Sequence, residues 1–181
     1  MGKVKIVILF FLLVIAVAQD IRSGRVSNKL ILFGLFLGLL SKVQEYDFRG
    51  IYFFLRNISV PVILFYLMFL MHVLGAGDIK LFSMIGGILT IEELLFCIFY
   101  SFIAGGILSL FYLLMDNHRG EKLKYACNYL FYVCRYQKII PYELPEEIPK
   151  SKMAFSLAVF LGWICMYAIP IVKSGGLFWY S

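Results

Sequence analysis

Two aspartates stand where apolar runs meet polar segments. Asp20 follows the run 4–18, and Asp78 lies between Gly75-Ala76-Gly77 and the run 79–91. Two carboxylates held close together can hydrolyse an amide without a metal or a covalent intermediate. One, ionised, takes a proton from water, and the other, protonated, gives a proton to the carbonyl oxygen. Closely spaced like charges raise one pKa of the pair and produce this mixed state, and partial burial reinforces it. The pair as a unit then sets the pH profile. Gly75 and Gly77 leave room beside Asp78 for a neighbouring helix or an extended substrate backbone. Backbone N–H groups at the start of a helix would also favour an anionic Asp78, so the sequence leaves open which Asp carries the proton. Taken singly, each has a plainer reading: Asp20 as a solvated helix-end charge and Asp78 as an N-cap.

The elements that must position these residues are set by composition. Of 181 residues, 62% are hydrophobic and only 15% are charged, so the bilayer is the expected solvent. A spanning helix takes about 20 apolar residues. Long runs at 4–18, 30–40, 51–74, 79–91, 94–115 and 153–172 predict an all-α, polytopic membrane bundle of about six helices, forming one domain over 1–181. Residues 41–50 read as a loop, Glu92-Glu93 as a brief turn, Arg56-Asn57 as groups that snorkel to the interface, and Asn28 as the cap of the second helix. The fourth run is short, which places its start below the membrane surface.

Six spans bring the segments after the first run and before the fourth to one face, so Asp20 and Asp78 meet there. Placing that face and residues 116–152 in the cytoplasm puts eleven of the seventeen Lys and Arg residues on the cytoplasmic side, as the positive-inside tendency requires. Residues 116–152 are the one long polar segment. Lys122 to Leu130 suit an amphipathic helix lying on the membrane, and Pro141, Pro145 and Pro149 with Glu143, Glu146 and Glu147 indicate an extended acidic loop. The net charge of +6 belongs to membrane orientation, because no basic face with interleaved aromatics is present for nucleic acid. Cys97 and Cys165 fall in apolar runs, Cys127 and Cys134 match no CxxC or zinc pattern, and His72 and His118 have no second ligand at metal spacing. No metal or cofactor is expected.

Gly75-Ala76-Gly77-Asp78-Ile79-Lys80 resembles the GxGDxK motif of prepilin peptidases, the type IV leader peptidase family of membrane aspartic proteases. Asp20-Ile21-Arg22-Ser23-Gly24-Arg25-Val26-Ser27-Asn28 is similar to that family's first-Asp segment, with an Arg two residues after the Asp and an Asn at the end; Ser27 stands where many members have proline. Ile148-Pro149 is a weaker third match, followed here by Lys150-Ser151 in place of an aromatic and a glycine. The resemblance implies catalysis by Asp20 and Asp78, with Arg22, Asn28, Gly75, Gly77 and Lys80 in support. It implies a multi-pass protein of the cytoplasmic membrane with its site facing the cytoplasm. The substrate would be a pilin-like precursor whose short basic leader is removed and whose hydrophobic helix stays in the bilayer. Glu143, Glu146 and Glu147 are candidate partners for that leader by charge complementarity. The cysteine-bearing methylating domain of larger members has no counterpart, which predicts a peptidase without methyltransferase activity.

Four other readings compete. Lys3, Lys5, an apolar core and Ala16-Val17-Ala18 resemble a signal peptide, against which stands the match from Asp20 to Asn28. A non-enzymatic scaffold of a pilus or secretion system would use the two Asp residues only for interhelical hydrogen bonds. A small transporter would place a cation at an intramembrane Asp, but no inverted repeat supports it. Presenilin-like proteases share GxGD, yet their other Asp follows a tyrosine, whereas Asp20 follows Gln19. Neither the oligomeric state nor the particular pilus or secretion system is specified by the sequence.

Overall fold

The computed structural model describes residues 2–71, 73–115 and 154–168, together with 128, 131 and 135. The described residues form six helices: α1 (Gly2–Ser23), α2 (Asn28–Tyr46), α3 (Arg49–Leu70), α4 (Ala76–Ile88), α5 (Ile91–Met115) and α6 (Phe155–Ala168). No strand occurs among them, so the expected all-helical membrane bundle is the fold. Three helices are long and apolar enough to cross a bilayer, at Val4–Ser23, Arg49–Leu70 and Ile91–Met115. By contacts the chain falls into two compact units, 1–105 with 154–181, and 106–153. The first unit carries both aspartates. In the second, the described residues are the last part of α5 and the helical positions 128, 131 and 135. The rest of the expected amphipathic helix and acidic loop lies outside the described residues.

Helix α4 is the centre of the first unit. It has only 13 residues, a length of about 20 Å against roughly 30 Å of hydrocarbon, so it does not cross by itself. Leu81, Phe82, Met84 and Ile85 are fully buried, with Ile88 and Leu89 nearly so. The helix is wrapped by α2 and α3 and also touches α1 and α6. Lipid tails are as apolar as these side chains, so tight packing rather than escape from water holds such helices together. Gly38 shows how tight: a Cβ there would stand 2.8 Å from the Gly87 carbonyl carbon, and only its absence lets α2 approach α4 so closely. Rings at 5.4–6.2 Å then join four helices, Phe65 to Phe82 and Phe102, and Phe155 to Phe82 and Phe102. These contacts fix the first turns of α4 and α6 beside one another.

Several local expectations are corrected. Residues 41–46 are not loop but the last turns of α2, because Ser41-Lys42-Val43-Gln44-Glu45-Tyr46 contains neither Gly nor Pro and its Lys42 side chain packs inward, 2% exposed. The chain turns only at Asp47, where φ is +50°. Glu92-Glu93 are helical: Glu93 accepts from the Thr90 N–H at 2.9 Å and from its hydroxyl at 3.0 Å, and the Glu93 N–H returns a bond to Thr90 Oγ1 at 3.3 Å. This is a capping box that starts α5. Asn57 does not snorkel; it is 1% exposed and donates its amide to the Leu89 carbonyl at 3.0 Å. That bond satisfies an acceptor at the end of α4 that no helix turn reaches.

Candidate active site

Asp20 owes its position to the way α1 ends. The helix continues through Ile21 and Arg22 to Ser23, then Gly24 adopts φ +65° and its N–H donates to the Asp20 carbonyl at 2.7 Å. A left-handed residue of this kind stops a helix, and glycine takes it without strain. The short connection to α2 is fastened at both sides. Gln19 Oε1 accepts the Ser27 N–H at 2.8 Å, and Ser27 Oγ accepts the Lys29 N–H at 3.3 Å. Ser27, not Asn28, is therefore the N-cap of α2, since its hydroxyl sits one residue outside the first helical turn. The Asn28 side chain turns to another task, accepting from Lys80 Nζ at 3.1 Å. The expected supporting residues Asn28 and Lys80 thus hold each other, tying the start of α2 to the start of α4.

Asp78 is in the first turn of α4, ahead of its apolar run. Its Oδ2 accepts the Gly75 N–H at 3.2 Å, so it caps its own helix as a first-turn carboxylate can. Gly75 and Gly77 differ in what they leave open. A Cβ on Gly75 would meet Asp78 Oδ2 at 3.2 Å, whereas one on Gly77 would meet nothing within 4 Å. Gly77 therefore faces open space.

A partner of Asp20 that the sequence did not single out comes from α6. Ser156, in the first turn of α6, donates its hydroxyl to Asp20 Oδ2 at 2.7 Å and its backbone N–H to the same oxygen at 3.2 Å. Ala154, which precedes α6, has no side-chain acceptor, and the Asp20 carboxylate serves as its cap from another helix. Ser156 falls in the run read as the sixth span, 136 residues from Asp20. The signal available was weak: one hydroxyl in the first turn of an apolar run that the topology brings to the Asp face.

Both carboxyl groups are half-buried and close enough to interact electrically. Burial pushes the Asp78 carboxyl up to about 6; the Gly75 amide opposes the rise and the charge of Asp20 adds to it. Among the described residues no Lys or Arg forms an ion pair with either Asp. Arg22 and Arg25 are exposed. The arrangement is a pair of acids without an ion-paired cation among the described residues, and Asp78 keeps its proton into the mildly acidic range. Such a pair can supply both a base and an acid. Glu143, Glu146, Glu147, His72, His118, Cys127 and Cys134 lie outside the described residues. Cys97 and Cys165 are free thiols, and no cluster with metal-ligand composition occurs among the described residues.

No curated protein and no solved structure matches the chain. A family comparison does match, over residues 7–110, which covers more than half of the chain and includes most of α1, all of α2 to α4 with both aspartates, and most of α5. The chain belongs to the type IV leader peptidase family.

Proposed function

We propose that this protein is an aspartic endopeptidase that removes the basic leader from pilin-like precursors at the cytoplasmic face of the membrane, with Asp20 and Asp78 as its acid–base pair. The observation that carries the reading is the placement of two half-buried carboxyls at one end of the bundle, neither ion-paired with a Lys or Arg among the described residues, within a family of leader peptidases. Hydrolysis by such a pair balances simply. One carboxylate takes a proton from water while the water oxygen bonds to the scissile carbonyl carbon, and the other carboxylic acid protonates the carbonyl oxygen. The tetrahedral diol then collapses as a proton passes to the nitrogen and the C–N bond breaks, giving a carboxylic acid and an amine. The pair ends with the single proton it began with.

The open space at Gly77 suits an extended peptide backbone lying against Asp78. The precursor's hydrophobic helix would remain in the bilayer while its leader reaches the face that carries the site. Glu143, Glu146 and Glu147 are assigned to the basic leader by charge alone; unchanged precursor affinity and cleavage after all three are neutralised would remove that assignment.

A second reading has one observation in its favour. Asp20 caps α6 through Ser156, which is the interhelical bond that a purely structural role in a pilus or secretion scaffold would require. Co-expression of a pilin-like precursor with wild type, Asp20→Asn and Asp78→Asn separates the two. Asn preserves the shape of the cap but cannot exchange the proton. Cleavage by wild type and by neither variant, at equal membrane levels, supports the peptidase; cleavage by either variant refutes the two-Asp mechanism. If wild type processes none of a diverse set of precursors, the scaffold reading prevails.

A further inference from the structure

The two carboxyl groups are not held alike. Asp20 Oδ2 receives two donors from α6, the Ser156 hydroxyl at 2.7 Å and the Ser156 backbone N–H at 3.2 Å. Asp78 Oδ2 receives one, the Gly75 N–H at 3.2 Å. A hydroxyl can reverse its role, but a backbone N–H can only donate, so Asp20 Oδ2 is an acceptor in this contact. Two donors on one oxygen fix the orientation of the carboxyl group and direct its other oxygen, Oδ1, away from α6 as the available acceptor. Ser156 itself is buried, 1% exposed, and next to Phe155, which packs on Phe82 and Phe102.

We propose that Ser156 is a positioning residue for the acid–base pair: by occupying Asp20 Oδ2 with two donors it leaves Oδ1 to take the proton from water, and so assigns the base to Asp20 and the acid to Asp78. This rests on the two-Asp peptidase reading. The elevated value of Asp78, about 6 from burial against the opposing Gly75 amide and with the Asp20 charge adding, agrees with an acid that retains its proton. Among the described residues, the charged groups at this end are Arg22 on α1 and Arg25 just after it, both exposed, Asp78 and Lys80 on α4, and Lys29 on α2. Lys80 is engaged by Asn28, and α6 contributes no charged side chain. Ser156 lies beyond the region of the family match, residues 7–110, so the match does not assign it a role.

The experiment uses the full-length protein in detergent with a purified precursor, measuring kcat, KM and the pH dependence of kcat for wild type, Ser156→Ala, Ser156→Thr and Ser101→Ala. Ser101 is another buried helical serine, bonded only within α5 to the Cys97 carbonyl, and controls for the loss of a buried hydroxyl. Ser156→Ala should lower kcat about 10-fold or more, within the range of acid–base contributions, with KM changed less than about twofold. Its acid limb should move to higher pH, because the pair's anionic form has lost a donor. Ser156→Thr keeps the hydroxyl and should restore the wild-type limb. Ser101→Ala should leave the limb in place.

Two results overturn the proposal: an unchanged kcat and limb in Ser156→Ala, or a loss in Ser156→Ala that matches Ser101→Ala in stability and leaves the limb unmoved. A readout independent of turnover is the infrared difference spectrum at pH 5. Asp78→Asn should remove a protonated-carboxyl band and Asp20→Asn a carboxylate band; the reverse assignment overturns the proposal whatever the kinetics. Cleavage that survives Asp20→Asn or Asp78→Asn instead brings down the two-Asp reading itself, an outcome distinct from a silent Ser156.

Discussion

The two ends of the first compact unit treat charge in opposite ways. At the end that carries Asp20 and Asp78, two acids receive hydrogen-bond donors but, among the described residues, no ion-paired cation. At the other end, five of the described charges are engaged by other groups. Lys5 pairs with Glu45, Arg56 lies 5.2 Å over the Phe53 ring and donates to Asn57, Glu93 closes the cap of α5, and the buried Lys42 stands 5.9 Å from the Tyr46 ring. Compensated charges tie helices together and have little left to give a ligand. Uncompensated, coupled acids cost folding energy, and a protein that keeps them has a use for their protons.

Substitutions at the two ends should therefore differ in kind. The largest effect is expected at the acidic end: Asp20→Asn or Asp78→Asn should reduce precursor cleavage by on the order of 10²–10⁴-fold. The thermal midpoint in detergent should not fall below that of wild type. Loss of fold in step with loss of cleavage would erase the contrast between the ends.

Next is Asn57→Ala, which removes the bond to the Leu89 carbonyl and should destabilise the protein by about 1–2 kcal/mol, the scale of interhelical hydrogen bonds in membranes. Cleavage per folded molecule should be retained. Equilibrium unfolding combined with activity normalised to folded protein checks both halves of this expectation.

The pH dependence sharpens the comparison further. The Asp78 carboxyl titrates higher in the folded protein, about 6, than its ordinary value of 3.8. The folded state then binds the proton more tightly, so this group's contribution to stability falls as pH rises from about 3.8 through 6 and is fully lost above that. Asp78→Asn should accordingly be more stable than wild type above pH 6, with the difference shrinking as pH falls towards 4. Cleavage by wild type should show an alkaline limb beginning near the same value, since the acid must be protonated. Midpoints measured across that pH interval for both proteins test the sign.

The smallest effect is expected at Lys5. Its bridge to Glu45 is partly exposed, and such pairs contribute about 0–1 kcal/mol. Lys5→Ala should therefore change stability by less than about 1 kcal/mol and leave cleavage unaltered, as unfolding and cleavage assays would show. A large loss of cleavage here would mean that the two ends communicate.

Most of the helices were legible because apolar run length and helix stops are local properties. The runs at 4–18, 51–74 and 94–115 correspond to the three helices long enough to cross, and Gly24 and the Gly75–Gly77 segment mark real boundaries. The errors occurred where polarity was taken as an interruption. Residues 41–46 and 92–93 are helical, and Asn57 is buried, because a polar side chain ends a helix or seeks water only when no partner is within reach. Lys42, Asn57 and Glu93 each have one, supplied by a neighbouring ring, carbonyl or cap.

By itself the sequence determined the all-helical membrane class and the family motifs around Asp20 and Asp78, since hydropathy, helix stops and short motifs depend on residues adjacent in the chain. Only the tertiary structure decided that Asp20 is seated by Ser156 of α6, that Lys80 is engaged by Asn28, and that α4 is buried among the other helices. These are contacts across 52 to 136 residues, and the geometry that selects one hydroxyl or one carbonyl as a partner comes from packing, which no local pattern encodes.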